Sequence, residues 1–369
     1  MSSPSKPEAP VGAVDPAPTS AMPSATLSAS PEPSPSPTPP PDDAPSSPST
    51  PQTPETPSDP DPMGSQPGPA DPSTPSEVNT PTAPSASAEP FGPDLDGACT
   101  ASQASNTRVS GSGPYKVIVE TNSDPGISEG TIYRPDTLGG DELLPIFVWG
   151  EGGCSLDGLS NSSAMAEIAS YGYFIVADGT PNGSSSRSMD TSNVVGMGAP
   201  LIAYIDWALE QNAKPCSAYY HALDASKIAA NGFSCGGLMS TGTAGDPRIT
   251  TWGITSSGTF SPDQALYDSV HTPVLMVLGG PDDIAYENGE RDYMNISPLG
   301  YPIMLFSKNL GHGGDLFQGG KGDFTKINLA WLNWWLKGDE SAAGKGALVG
   351  DSCSYCSDSE WEKMSANLP

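Results

Sequence analysis

Positive charge is scarce in this chain. Fifteen lysines and arginines stand against 43 aspartates and glutamates, a net charge of −28. Such a chain repels phosphates, which excludes nucleic acids and anionic membrane surfaces as partners. Long apolar runs are missing too: none approaches the roughly 20 residues that cross a bilayer, so no transmembrane segment is expected. The N-terminus lacks the basic-then-apolar pattern of a signal peptide. Only one Cys-x-x-Cys occurs, Cys353 to Cys356, with no second pair and no histidine beside it. That is too little for a zinc site, and no metal is expected. Histidine is the rarest residue, with three copies at 221, 271 and 312. Any chemistry that needs an imidazole base has three candidates.

Proline is abundant but unevenly spread: 27 of 42 lie in residues 1–90. That segment is proline, serine, threonine and alanine, with almost nothing large and apolar. It cannot bury enough surface to offset chain entropy, so a disordered, stiffened spacer is expected. Its composition resembles the stalks of exported proteins, and a removed leader and a secreted or surface-tethered location are expected. Residues 91–369 are long enough for one domain with a substantial core. The six cysteines, 99, 154, 216, 235, 353 and 356, form an even set that fits disulfides. The 353–356 pair reads as a staple on the C-terminal segment. Asn161, Asn182 and Asn295 begin glycosylation sequons, which matter only in a eukaryotic secretory host. A monomer is favoured.

Residues 91–113 read as an irregular lead-in. Short β-branched or continuously apolar runs predict strands over 115–120, 130–135, 143–149, 173–177, 228–230, 251–256, 273–278 and 302–307. Helical patterns fall at 162–170, at 200–211 behind a proline, and at 324–336. Trp331, Trp334 and Trp335 lie at helical spacing in the last, as a core stripe. Residues 179–198 read as a long loop. The alternation predicts an α/β fold with a mainly parallel central sheet and helices on both faces.

Gly232-Phe233-Ser234-Cys235-Gly236 matches G-x-S-x-G between an apolar strand and a helix start. A serine there sits on a sharp strand-to-helix turn with its hydroxyl exposed above the sheet. Small neighbours permit the turn. An ordinary serine in a glycine-rich turn is the plain alternative, so the rest of the chain must supply partners. A hydroxyl needs a base. His221 reads as a surface-loop residue and His271 as a structural one, whereas His312 lies in Gly311-His312-Gly313-Gly314, after the last strand. The carboxylate that orients the imidazole should follow the strand between them, where Asp282 and Asp283 stand side by side. Asp283 is favoured, with Asp282 the competitor. Two backbone N–H groups should hold the developing oxyanion. One is expected at Cys235, the other at Glu151 or Gly152 in Trp149-Gly150-Glu151-Gly152-Gly153. Phe260 and Tyr286 follow strands on the same face and are candidates to line a substrate cleft.

The order serine, aspartate, histidine, together with Ser234-Cys235-Gly236-Gly237, Gly280-x-x-Asp283 and Asp282-Asp283-Ile284-Ala285-Tyr286, resembles secreted α/β-hydrolase serine esterases of the polyester-hydrolase, cutinase-like and dienelactone-hydrolase-like groups. The likeness spans about residues 110–340. It implies a carboxylic-ester hydrolase working through an acyl-enzyme, without a cofactor, on ester substrates that include polymeric or bulky ones. Against the polyester-hydrolase acid turn, Asp282 would align as the acid. If that fold holds, Cys154 and Cys235 come close, and a disulfide between them is expected. A serine peptidase or amidase on the same fold, and a non-catalytic surface-binding protein, are the alternative readings.

Overall fold

The computed structural model describes residues 102–104, by backbone alone, 109–140 and 142–369. The spacer expected over residues 1–90 lies outside them, as does Cys99.

Among the described residues, ten strands form one sheet: β1 (Ser102–Ala104), β2 (Val117–Asn122), β3 (Gly130–Pro135), β4 (Leu144–Gly150), β5 (Phe174–Asp178), β6 (Leu223–Gly232), β7 (Thr251–Thr255), β8 (Val274–Leu278), β9 (Ile303–Ser307) and β10 (Glu362–Ala366). Their spatial order is β1-β2-β3-β5-β4-β6-β7-β8-β9-β10. From β5 across to β9 every neighbour is parallel. β1, β2 and β3 on one side, and β10 on the other, join antiparallel. The sheet is therefore mixed, with a parallel centre. The lead-in read as irregular contains β1, and β10 was not foreseen.

Central strands buried on both faces should be largely apolar; β8 is so throughout, while β5, β7 and β9 end on buried Asp178, Thr255 and Ser307. Ile146 and Val148 of β4 pack into one apolar layer, while Phe147 and Trp149 pack into the other. β5 divides the same way, Phe174 and Val176 against Ile175 and Ala177. The first layer is covered by helix α3 (Ala199–Ala213), whose Leu201, Tyr204, Ile205 and Ala208 repeat at helical spacing. The second is covered by α1 (Ser162–Ala169) and α7 (Asp323–Lys337). Trp331 and Trp334 are buried there as core, and Trp331 Nε1 donates to Thr251 Oγ1 at 2.8 Å. Trp335 is half-buried and stacks on Trp334.

Other helices lie between the strands that carry the site. α2 (Val194–Met197) interrupts the segment expected to be loop throughout. α4 (Cys235–Thr241) leaves directly from β6. α5 (Gln264–Ser269) and α6 (Tyr286–Ile296) precede and follow β8. The loops leaving β4, β6, β8 and β9 carry the site residues. Among the described residues, no helix is long and apolar enough to cross a membrane.

Candidate active site

β6 ends at Gly232, and the chain reverses into α4 within two residues. Ser234 takes φ 53° and ψ −117°, a backbone region costly for any residue with a side chain. The surroundings fix it there. Phe233 N–H donates to Gly150 O, Ser234 N–H to Thr255 O, and Gly236 N–H back to Phe233 O. Ser257 Oγ donates to the Ser234 carbonyl at 2.7 Å. The flanking glycines are required by contact: a Cβ on Gly232 would lie 2.2 Å from Gly236 O, and one on Gly236 would lie 2.0 Å from the Gly150 carbonyl carbon.

His312 reaches this serine from the loop after β9. Gly311 (φ 77°) and Gly313 (φ 88°) carry the chain through left-handed backbone on either side. Gly311 N–H donates to Gly279 O, and Gly313 N–H to Ser256 Oγ, which fastens the loop over the ends of β7 and β8. His312 Nε2 lies 2.9 Å from Ser234 Oγ. Its Nδ1 lies 2.6 Å from Asp283 Oδ1.

Of the two adjacent aspartates, Asp283 meets the histidine. Its side chain is wholly buried. Oδ2 accepts from Gly279 N–H and Oδ1 from Ala285 N–H, each at 2.9 Å. Burial alone would raise its pKa. Hydrogen bonds from His312, the Ala285 N–H, the Ser256 hydroxyl and the Gly279 N–H outweigh burial and hold the carboxyl below its ordinary range. An ionised carboxylate only accepts, so the imidazole proton is assigned to Nδ1, and Nε2 is left to accept from the serine hydroxyl. Asp282 is exposed. It exchanges two hydrogen bonds with the Asn309 side chain, tying the acid turn to the histidine loop. His221 is exposed and stacks on Tyr220, and His271 Nδ1 lies 3.1 Å from the Ser269 carbonyl.

The loop after β4 comes to the start of α4. A Cβ built on Gly236 would lie 2.6 Å from Glu151 N, which places that N–H beside the serine turn. Among the described residues, neither Glu151 N–H nor Cys235 N–H has a hydrogen-bond acceptor. The two donors expected to serve an oxyanion are thus neighbours and uncommitted. Cys154 is bonded to Cys235, with 5.1 Å between Cα atoms, so the loop is covalently tied to α4. Cys353 is bonded to Cys356, and Cys216 is disulfide-bonded as well.

Among the described residues, neither the Phe260 nor the Tyr286 side chain bonds to or stacks on Ser234, His312 or Asp283, although Tyr286 N–H donates to the Asp283 carbonyl. Phe260 is 59% exposed on the loop after β7. The Tyr286 hydroxyl bonds to Glu290 and to Glu362 of β10, each at 2.8 Å, which turns the ring toward the sheet edge. Two other aromatics take the place beside the histidine. The Phe233 ring lies 5.0 Å from the His312 ring and 5.6 Å from Phe317, itself 53% exposed. Phe233 is the variable residue inside G-x-S-x-G, so its position was available in the sequence; Phe317 carries no such signal. Cys154 of the bridge also lines a cavity of about 200 Å³, together with Arg187, Asp190, Met197 and Met239 among others. Asn161, the first sequon asparagine, is buried with its amide bonded to Glu151, which closes it to glycosylation in the folded chain.

Among the described residues, no cluster of three or more histidine, cysteine, aspartate or glutamate side chains is arranged to hold a metal ion. No model of a known protein family matches the chain. A search of curated proteins returned no match.

Proposed function

We propose that this protein is a serine carboxylic-ester hydrolase built on the α/β-hydrolase fold. The observation that carries the reading is the unbroken relay from Ser234 Oγ through His312 to a buried Asp283, at 2.9 and 2.6 Å. The fold assignment is supported by the places these residues occupy. The serine stands on a strained strand-to-helix turn, the acid and histidine follow later strands in that order, and a glycine-rich loop after an earlier strand supplies the second donor.

In this reading Ser234 Oγ attacks the ester carbonyl carbon as its proton passes to His312 Nε2. Asp283 stays ionised and stabilises the imidazolium. The N–H groups of Glu151 and Cys235 receive the oxyanion. His312 then returns the proton to the departing alkoxide, leaving an acyl-enzyme. Water, deprotonated by the same nitrogen, releases the acid and restores the serine. His312, 26% exposed, and the uncovered Phe317 support a site open enough for bulky or polymeric esters. The disulfides are compatible with a secreted or surface-tethered location.

Initial rates on short and medium p-nitrophenyl esters, beside the matching anilides, test the reading. Ester turnover with anilides hydrolysed far more slowly is expected. Anilides hydrolysed as fast as esters would make the protein an amidase, and no turnover of either would contradict the proposal.

A further inference from the structure

The oxyanion loop contains a charged residue type where charge is least welcome. Glu151 is fully buried. Its Oε2 accepts from Trp149 Nε1 at 3.2 Å and from Asn161 Nδ2. Its Oε1 has no hydrogen-bond partner, and neither has Asn161 Oδ1, which is equally buried. The two orphaned oxygens therefore belong to two side chains that already touch.

An ionised carboxylate and an amide oxygen are both acceptors, so neither can satisfy the other. One proton on the carboxyl changes this. Oε1–H becomes a donor, Oδ1 is the available acceptor, and the second bond closes an acid–amide ring with the first. Turning the amide over does not remove the requirement, because Oδ1 would then face Oε2 and again need a proton from the acid. From this geometry we propose that Glu151 is held as a neutral carboxylic acid paired with Asn161, and that the pair is the positioning device of the oxyanion loop.

The pair joins two fixed elements. Asn161 is anchored at the start of α1, where its carbonyl accepts from Ala164 and Met165 N–H. Glu151 carries the N–H that stands beside the serine turn. The titratable groups around the carboxyl also disfavour a second negative charge. Asp157 lies on the following loop, bonded by Leu159 and Asn182 N–H, and the Tyr133 phenol reaches over from β3 to Gly158 O. On the serine side the Phe233 ring stands between Gly152 and the His312–Asp283 pair. Burial, with Asp157 adding to it, outweighs the Asn161 and Trp149 hydrogen bonds and pushes Glu151 up to about 8.

Ionisation would break the acid–amide ring and put a negative charge beside the place where, in the proposed reaction, an oxyanion forms. This consequence rests on the esterase reading; the neutral acid itself does not. The test compares wild type with Glu151→Gln, whose amide is neutral at every pH and still offers a donor to Asn161 Oδ1. The first readout is urea unfolding between pH 4 and pH 10 and needs no activity. The unfolded chain releases this proton near the ordinary 4.5, whereas the folded chain keeps it to about 8. Wild type should therefore lose stability relative to Glu151→Gln as pH rises through that window, and the gap should level off above it. Unfolding midpoints that run parallel overturn the neutral acid.

The second readout is the shape of the kcat–pH profile, not the absolute rate. Wild type should fall above its Glu151 ionisation, approaching about tenfold per pH unit, whereas Glu151→Gln should hold a plateau. Equal alkaline limbs overturn the positioning role. Unfolding curves that diverge in a protein that hydrolyses no ester would leave the acid–amide pair standing and sink the esterase instead.

Discussion

Asp283→Asn should lower kcat by about 10⁴-fold, whereas Asp282→Asn should leave it within about twofold. The two residues are adjacent and chemically identical, so the contrast isolates geometry. Asp283 is buried, 2.6 Å from His312 Nδ1, and held by two backbone N–H groups. An asparagine there can turn its NH₂ toward Nδ1. The imidazole then takes the other tautomer, with its proton on Nε2, and can no longer accept from Ser234. Asp282 is exposed and touches Asn309, so its loss removes a surface tie between two loops. Such a tie contributes on the order of 1 kcal/mol or less. Steady-state kinetics with circular dichroism to verify folding are sufficient. Equal losses in both variants, or the larger loss at position 282, would contradict the assignment.

Gly236→Ala should reduce kcat by about 10²-fold with little change in KM, and cost about 1–3 kcal/mol of stability. The added methyl would fall 2.0 Å from both the Gly150 carbonyl carbon and its oxygen, and 2.6 Å from Glu151 N. These are backbone atoms on both sides, so no side chain can swing away to make room. The peptide that must move carries one of the two proposed oxyanion donors. The Cys154–Cys235 bond resists the separation of loop and helix, so the strain falls on the donors themselves. Gly140→Ala is the control, because nothing lies within 4 Å of a Cβ there. Normal kcat per folded molecule in Gly236→Ala would mean that the loop after β4 takes no part in turnover.

Most strands were readable within a residue or two, and 130–135 coincides with β3, whereas β6, whose first half carries Asp224, Ser226 and Lys227, starts earlier than expected. Period-two and continuous burial leave a direct mark on composition. α6 and β10 left none. α6 is mostly polar, burying little beyond Gly289, Asp292, Tyr293 and Ile296, and β10 is a sheet edge with Glu362 and Ser365 exposed. The serine and histidine announced themselves through glycines that close contact or left-handed backbone requires. The choice between Asp282 and Asp283 depends on how one turn rotates. Gly280, at φ 73°, and the bond from Asp283 N–H to Gly280 O aim the second aspartate inward, which composition cannot show. Side-chain direction is equally hidden, which is why Tyr286 points to Glu362 while Phe233 stands beside the histidine with Phe317 against it. The Glu151–Asn161 contact joins a loop to a helix start across ten residues of irregular chain, with no periodicity to betray it.

The central claim is that Ser234 is a nucleophile activated by His312. The most direct measurement is reaction with a fluorophosphonate, followed by peptide mapping of wild type, Ser234→Ala and His312→Ala. One phosphonyl group per wild-type chain is expected, on Ser234, with none in Ser234→Ala and labelling slowed by orders of magnitude in His312→Ala. An unlabelled wild-type chain, a label on another residue, or Ser234 labelling that ignores the loss of His312 would contradict it.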